Sequence, residues 1–174
     1  MNPIQLLKSV RMNSKKWHIK SNKVGVMGFS AGGHLAATLA VHHDDVFIEN
    51  PSKVRLRPDF TMLIYPLISF ADKLVHQESM DNLLGKEVSK TKIDYYSIEK
   101  QVNRSTPPSF ITYALDDDIV PPENGLLFYE ALCANKVRVR LKTYPKGGHG
   151  FLIEPSFTTW FGECTVWMRK NRLL

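Results

Sequence analysis

The chain has 174 residues, of which 43% are hydrophobic and 23% are charged, a composition typical of one water-soluble domain with a sizeable core. Its net charge of +6 is scattered, without the aromatic or helical patterns of nucleic-acid recognition, so we expect a solvated basic surface and no nucleic-acid partner. No apolar run approaches the length of about 18 residues that a membrane span needs, and residues 1–20 lack a signal-peptide pattern. We therefore expect no membrane contact and a cytoplasmic location for the chain as given, although a longer parent protein is compatible with secretion.

Short apolar runs alternate with helical stretches, and this alternation is typical of βα units that build a parallel sheet. Breaker residues bound the predicted strands, which cover residues 24–29, 60–65, 109–115 and 137–144. Helical patterns cover residues 4–15, 31–42 and 123–135. A further helix is predicted by the apolar stripe at three-to-four spacing from Phe157 to Met168. The sequence predicts the α/β class, with a parallel sheet of about four strands flanked by helices in one domain, residues 1–174.

Residues 68–106 interrupt this alternation with a long, polar connection between two predicted strands, in which helical signals occur at 81–84 and 93–102. Connections of that length usually carry function, so we interpret this one as a lid-like insertion.

The two cysteines, Cys133 and Cys164, lie far apart without a CxxC pattern or a histidine-rich neighbourhood. Neither a zinc site nor a disulfide is therefore expected. Because free cysteine behaves as a small apolar residue, both side chains are predicted to be buried.

A G-x-S-x-G motif, Gly28-Phe29-Ser30-Ala31-Gly32, lies between a predicted strand and a predicted helix. This is the setting of a nucleophile elbow, a sharp strand-to-helix turn that exposes the serine hydroxyl above a sheet. The two outer glycines are expected to let strand and helix approach without Cβ clashes. Ser30 is thus the predicted nucleophile, and the backbone N–H of Ala31 the predicted oxyanion donor.

A serine nucleophile needs a histidine base and a carboxylate that orients the base, and in an elbow fold both follow later strands. His149 follows the fourth predicted strand within Gly147-Gly148-His149-Gly150, a tight loop suited to return an imidazole over the sheet. His149 is the predicted base. His34, one turn into the helix after the elbow, is expected near the site as a packing or hydrogen-bonding residue.

Three consecutive carboxylates, Asp116, Asp117 and Asp118, follow the third predicted strand, and the chemistry of the triad alone does not choose among them. Because adjacent carboxylates cannot all be buried, at least one is expected to face solvent or to cap the helix that begins near Pro122.

These motifs resemble those of the carbohydrate-esterase-like α/β-hydrolases, including acetyl xylan esterases and the related hormone-sensitive-lipase and dienelactone-hydrolase groups. The stretches that carry the resemblance are residues 24–37 with the elbow, LIYPLI at 63–68, NLLG at 82–85, TPPSFI at 106–111, DDDIVPPEN at 116–124, FYEAL at 128–132 and YPKGGHGF at 144–151. The family pattern D-x-x-V-P falls on residues 117–121, so the resemblance implies Asp117 as the triad acid. It further implies a serine esterase that removes short acyl groups, such as acetyl, from a small-molecule or carbohydrate ester such as xylan, without metal or organic cofactor.

The departure from the family lies before Ser30, where members carry several more strands and a His-Gly-Gly-type loop that supplies a second oxyanion donor. The N-terminal half of the usual sheet is expected to be missing, and loss of the second donor lowers turnover by about 10²–10³-fold. One edge of strand 24–29 is then exposed, which invites pairing with another chain. We expect a homo-oligomer, or an N-terminal segment supplied from elsewhere.

Two alternatives stay open from the sequence. In the first, the chain is a truncated, weakly active or non-catalytic hydrolase remnant that self-associates. Ranked below that, it is a serine peptidase of the prolyl-oligopeptidase kind, whose propeller domain has no counterpart here.

Overall fold

The computed structural model describes residues 2–71, 73–151 and 154–174. Within these residues, four parallel strands form one sheet in the order β1-β2-β3-β4. The strands are β1 (Gly25–Phe29), β2 (Phe60–Ile64), β3 (Ser109–Ala114) and β4 (Val139–Tyr144). The helices are α1 (Pro3–Met12), α2 (Ala31–Val41), α3 (Gln77–Leu84), α4 (Lys90–Tyr96), α5 (Glu123–Ala134) and α6 (Phe157–Lys170), with a 3-10 turn over Ile98–Gln101. The predicted fold class is confirmed.

Different helices cover the two faces of the sheet. On one face, Ala37 of α2 and Phe128 of α5 pack against alternate residues of the central strands, such as Leu63. On the other face, α6 packs Trp160 and its neighbours against the intervening residues. Because both faces are covered, β2 and β3 are buried along their whole length. No helix in the described part of the chain is long and apolar enough to cross a membrane.

The connection from β2 to β3 carries α3, α4 and the 3-10 turn, and it builds a small apolar cluster of its own. Phe70 and Leu84 pack there against Leu67 and Val120, which come from the start of the connection and from the loop after β3. The insertion therefore rests on the side of the sheet where the strands end. Its lid-like role stays a prediction.

Asn124, in the first turn of α5, anchors this insertion. Its side chain is fully buried, and its Oδ1 accepts hydrogen bonds from the N–H groups of Ile68 at 3.0 Å and Ser69 at 2.9 Å. Its Nδ2 donates to the carbonyls of Leu74 at 3.2 Å and Pro121 at 3.1 Å. With all four hydrogen bonds made, this buried amide joins the insertion to the loop that follows β3.

The prediction that both cysteines are buried holds for Cys164 and is wrong for Cys133, which is exposed. The buried positions of α5 recur at three-to-four spacing and end at Leu132. Cys133 comes one residue later, about 100° further around the helix, so it turns away from the core. The apolar stripe of α6 is buried from Trp160 onward, but Phe157, at the start of the helix, is 62% exposed.

The turn between β1 and α2 brings two backbones very close together. A Cβ atom placed on Gly28 would lie 2.1 Å from the Gly32 carbonyl oxygen, and one on Gly33 would lie 2.7 Å from the Cβ of Pro66. A Cβ on Gly32 would meet nothing within 4 Å. The expectation that Gly32 is needed for close approach is therefore wrong, because Gly32 contributes its carbonyl to the contact while its Cβ position faces open space.

β1 is one edge of the described sheet, since it pairs with β2 alone. The Val24 carbonyl accepts from Asp59 N–H, and Ser30 N–H donates to the Ile64 carbonyl, so the even-numbered residues face β2. Successive residues of a strand alternate, and the peptide groups of Gly25, Met27 and Phe29 therefore point away from the sheet. Such an edge, without charge or proline, is a template for another strand.

Substitution of Met27 tests the predicted self-association. Wild-type protein is expected to associate with rising concentration in analytical ultracentrifugation. Met27→Lys is expected to weaken that association, because the long lysine side chain can carry its charge from this partly buried position out to the free edge. Val46→Lys, at a position 93% exposed, adds the same charge elsewhere and serves as the control. Circular dichroism checks that both variants are folded. Wild-type protein that is monomeric at every concentration would contradict the prediction.

Alanine substitutions at Gly28 and Gly32 compare how much each glycine of the motif contributes to stability. Gly28→Ala is expected to lower the free energy of unfolding by about 1–3 kcal/mol or more, because a backbone carbonyl must shift. Gly32→Ala, in the first turn of α2, is expected to be neutral or to stabilise by up to about 1 kcal/mol, since alanine favours helix. Urea denaturation of the two variants measures the difference, and equal losses would show that strand and helix do not approach most closely at Gly28.

Candidate active site

The predicted catalytic residues all follow strands of the sheet. Ser30 comes directly after β1, Asp117 lies in the loop after β3, and His149 lies in the loop after β4. Since the carboxyl ends of parallel strands meet at one edge of a sheet, residues far apart in the chain can converge there.

The structure brings these three side chains into one hydrogen-bonded line. His149 Nε2 lies 2.8 Å from Ser30 Oγ, and His149 Nδ1 lies 2.8 Å from Asp117 Oδ2. With an ionised Asp117, Nδ1–H donates to the carboxylate, so Nε2 is left to accept the serine proton. The imidazole is 15% exposed and the carboxylate 1% exposed, so the imidazole can be reached from solvent while the carboxylate is shielded from water.

The loop after β3 holds Asp117 from its own backbone. Asp117 Oδ1 accepts the N–H groups of Ile119 at 3.1 Å and Val120 at 2.9 Å, so each carboxylate oxygen has a defined partner. These local bonds offset the cost of burying the charge. Asp116 and Asp118 are exposed, as expected for a run of three carboxylates. Of the three, Asp117 is the one that contacts the imidazole.

Asp116 has a role that the sequence motifs do not signal. Its Oδ1 accepts the backbone N–H of Gly148 at 2.8 Å and so joins the acid loop to the histidine loop. The bond depends on the register of β3 and β4, which pairs Ala114 with Tyr144 just before the two loops leave the sheet. Nothing in the local sequence around Asp116 indicates a contact that only the sheet creates.

The backbone of Ser30 is held in an unusual conformation, with φ 51° and ψ −123°. A non-glycine residue there costs about 1–3 kcal/mol and persists only when its surroundings enforce it. Ser30 N–H donates to the Ile64 carbonyl at 3.1 Å, and the Ser30 carbonyl accepts the N–H of Leu67 at 3.1 Å. The last residue of β2 and the segment that follows it thus hydrogen-bond both the N–H and the carbonyl of the predicted nucleophile.

Ala31 opens α2, and its N–H therefore has no acceptor within its own helix. The positive end of the helix dipole lies at the same point, beside Ser30. Both features suit the stabilisation of negative charge on an oxygen next to the nucleophile. The role of Ala31 as oxyanion donor stays a prediction.

An apolar groove of about 540 Å³ borders the elbow. Ala31 and Leu35 of α2 form one wall, and the insertion contributes Phe70 and Leu83 to the other. His34 also lines the groove. It is buried, its Nε2 lies 2.8 Å from the Tyr96 carbonyl, and its ring lies 4.8 Å from that of Phe70. Burial lowers the pKa of His34, which fits the packing and hydrogen-bonding role expected from the sequence.

Metal ligation finds no support in the described residues. Within 2–71, 73–151 and 154–174, no three His, Cys, Asp or Glu side chains lie where they could hold one ion together.

Comparison with known proteins places the chain among hydrolases. The model of the prolyl oligopeptidase family matches residues 5–171. The chain is 40% identical over 156 residues to an acetylxylan esterase of Xylanibacter ruminicola, covering 87% of this chain and 30% of that protein. It is 39% identical over 157 residues to a Butyrivibrio fibrisolvens protein named endo-1,4-beta-xylanase B, covering 88% of this chain and 25% of that one.

A solved structure shows the same fold. The acetyl ester-xyloside bifunctional hydrolase of Caldicellulosiruptor lactoaceticus superposes with a TM-score of 0.91 at 36% identity, over 98% of this chain and 65% of that one. The chain thus spans about two thirds of this structural relative and under a third of each of the two sequence relatives above. The resemblance to the α/β-hydrolases that include acetyl xylan esterases is confirmed by these relatives. The match over residues 5–171 shows in addition that the chain belongs to the prolyl oligopeptidase family.

Proposed function

We propose that this chain hydrolyses carboxylic esters, with Ser30 as nucleophile, His149 as general base and Asp117 as the acid that orients it. The observation that carries the proposal is the unbroken hydrogen-bonded line from Ser30 Oγ through the imidazole to the buried carboxylate, with both contacts at 2.8 Å. A serine hydroxyl is a weak nucleophile, and this arrangement is what activates it.

The reaction begins when Ser30 Oγ attacks the acyl carbon and its proton moves to His149 Nε2. Asp117 stabilises the imidazolium, while the Ala31 N–H and the amino end of α2 face the oxygen that becomes negative. The imidazolium then gives its proton to the departing alcohol and leaves an acyl-serine. Water, deprotonated by the same imidazole, attacks the acyl-serine, and the proton returns to Ser30 as the acid is released.

The proposed substrate is a short acyl ester, such as acetyl, on a carbohydrate such as xylan. Two relatives support this class by name, an acetylxylan esterase and an acetyl ester-xyloside hydrolase. The groove beside Ala31 agrees with it, because its apolar walls suit the methyl end of an acyl group better than sugar hydroxyls. In this arrangement the acyl group enters the groove and the sugar stays at the open side of the site.

Labelling with a fluorophosphonate probe tests the triad. Wild-type protein is expected to react, Ser30→Ala to show no labelling, and Asp117→Asn to lower kcat for ester hydrolysis by about 10⁴-fold, because the imidazole loses its orienting charge. Asp118→Asn removes the same charge one residue later, at an exposed position, and is expected to keep full activity.

Equal losses in the two aspartate variants would contradict the assignment of Asp117. A wild-type protein that labels but does not turn over an ester would instead support the truncated-remnant alternative, in which the second oxyanion donor is lacking.

A series of nitrophenyl esters tests the substrate class. We expect kcat/KM to be highest for the acetate and to fall at least about tenfold towards the octanoate, as the acetyl esters in the names of the two relatives suggest. A proline-containing peptide anilide is expected to remain intact, with Ser30→Ala as the background control for both assays. Preference for the octanoate would point to a lipase, and cleavage of the anilide to a peptidase.

A further inference from the structure

Tyr65, the residue that follows β2, lies where the strand-end loops meet. Its backbone has φ 37°, in the left-handed region that residues other than glycine rarely adopt. Its N–H donates to the carbonyl of Thr112 in β3 at 2.6 Å. The next two residues hold the elbow, since Pro66 lies against Gly33 and Leu67 N–H donates to the Ser30 carbonyl. A strained residue fixed on both sides points to a function for its side chain.

The ring of Tyr65 contacts the predicted base directly. Its centroid lies 4.9 Å from that of the His149 imidazole, with the two planes inclined at 64°. It also lies 5.2 Å from the ring of Phe151 and 6.0 Å from that of Phe29. These are the aromatic residues two positions after the base and one position before the nucleophile. Edge-to-face pairs of this kind favour one orientation.

The imidazole of His149 can move by rotation about its Cα–Cβ and Cβ–Cγ bonds, and either rotation carries Nε2 away from Ser30 Oγ. The two triad hydrogen bonds resist such a rotation at the ring nitrogens, but the bond to serine changes when Oγ attacks and its proton moves to Nε2. Proton transfer depends on alignment, so a rotated imidazole is a weaker base for Ser30. An aromatic ring packed against the imidazole limits this rotation.

The hydroxyl of Tyr65 adds no charge beside the imidazole. Burial and the nearby Asp117 carboxylate raise the pKa of this phenol, so it stays neutral wherever the imidazole works as a base. The contact with His149 is made between the two rings, and the ring is therefore the part of the side chain expected to act on the base.

We propose that Tyr65 is a positioning residue for His149, whose ring holds the imidazole in the plane that serves proton transfer from Ser30. The inference rests on the proposed triad, but it also concerns the orientation of His149 in the resting protein. That orientation can be measured without turnover.

Two substitutions at Tyr65 separate the ring from the hydroxyl. Tyr65→Phe keeps the ring and is expected to retain kcat within about twofold, whereas Tyr65→Leu is expected to lower kcat by about 10- to 100-fold with little change in KM. Trp160→Leu is the matched control. Trp160 contacts Phe29 and Phe151 in the same aromatic cluster, and its loss is expected to reduce stability without this loss of kcat.

Proton NMR provides a readout that does not require activity. The Nδ1–H proton of His149, hydrogen-bonded to Asp117, is expected to give a low-field signal that persists in wild-type and Tyr65→Phe and shifts or broadens in Tyr65→Leu. An unchanged signal together with unchanged kcat in Tyr65→Leu overturns the proposal, and so does a Tyr65→Phe variant as impaired as Tyr65→Leu.

Failure of the triad proposal would give a different result. The wild-type protein would show neither labelling nor turnover, while its low-field NMR signal would still change when Tyr65 is replaced by leucine. Circular dichroism checks folding. If Tyr65→Leu is unfolded, the same comparison uses Tyr65→Met, whose longer and more flexible side chain can adapt to the space of the ring without being aromatic.

Discussion

Parallel strand pairing is the constraint on which the site depends. Phe29 pairs with Ile64, Ile64 with Thr112 and Ala114 with Tyr144, so all four strands end at the same edge of the sheet. β1 and β4 are the outer strands of the described sheet, and the loop after β4 reaches back across that edge to bring His149 to Ser30, although 119 positions separate the two residues in the chain. The hydrogen bonds of the triad are formed between loops and add little to holding the strands together. These hydrogen bonds form only when the strands pair in the observed register. A slip of one residue would point the side chains at the strand ends in the opposite direction and separate the three residues.

The site also stores backbone strain, which the core must support. Ser30 and Tyr65 both have positive φ, at the ends of neighbouring strands. Each such residue costs about 1–3 kcal/mol. The strands that carry this cost are well supported, since β2 is buried throughout and β1 is packed by α2. Burial at about 25 cal/mol per Å² of apolar surface easily exceeds the strain of two residues. Strain near the nucleophile therefore coexists with a stable sheet.

Most of the sheet and of the candidate site can be predicted from the sequence, because both leave local signals. Prolines and glycines mark the strand ends, and the elbow serine and the glycine-flanked His149 are visible in short motifs. The aspartates show where such signals stop. Asp116 and Asp117 are alike in chemistry, and without the family pattern at 117–121 the residues themselves do not choose between them. The fold turns Asp117 towards His149 and Asp116 towards Gly148.

The predictions that were wrong or missing also concern contacts that the local sequence does not signal. Cys133 lies one position past the buried stripe of α5, which a composition argument does not see. Gly32 matches the elbow motif, yet the close backbone contact is made by its carbonyl and not at its Cβ position. Tyr65 carries no local signal of its role, because its contact with His149 joins the ends of β2 and β4, strands that are not adjacent in the sheet.

Under the proposed function, chemistry and substrate selection are divided between different parts of this fold. The sheet ends hold the triad, while the insertion supplies Phe70 and Leu83 as a wall of the groove. Asn124 connects the two parts, because it binds Ile68 and Ser69 of the insertion on one side and Pro121 of the acid loop on the other. Substitutions in the outer part of the insertion can therefore reshape the groove while the acid loop keeps its place. Selectivity for the acyl group can change in this way while the proton-transfer geometry stays intact. A substitution of Asn124, by contrast, would affect both the insertion and the acid loop.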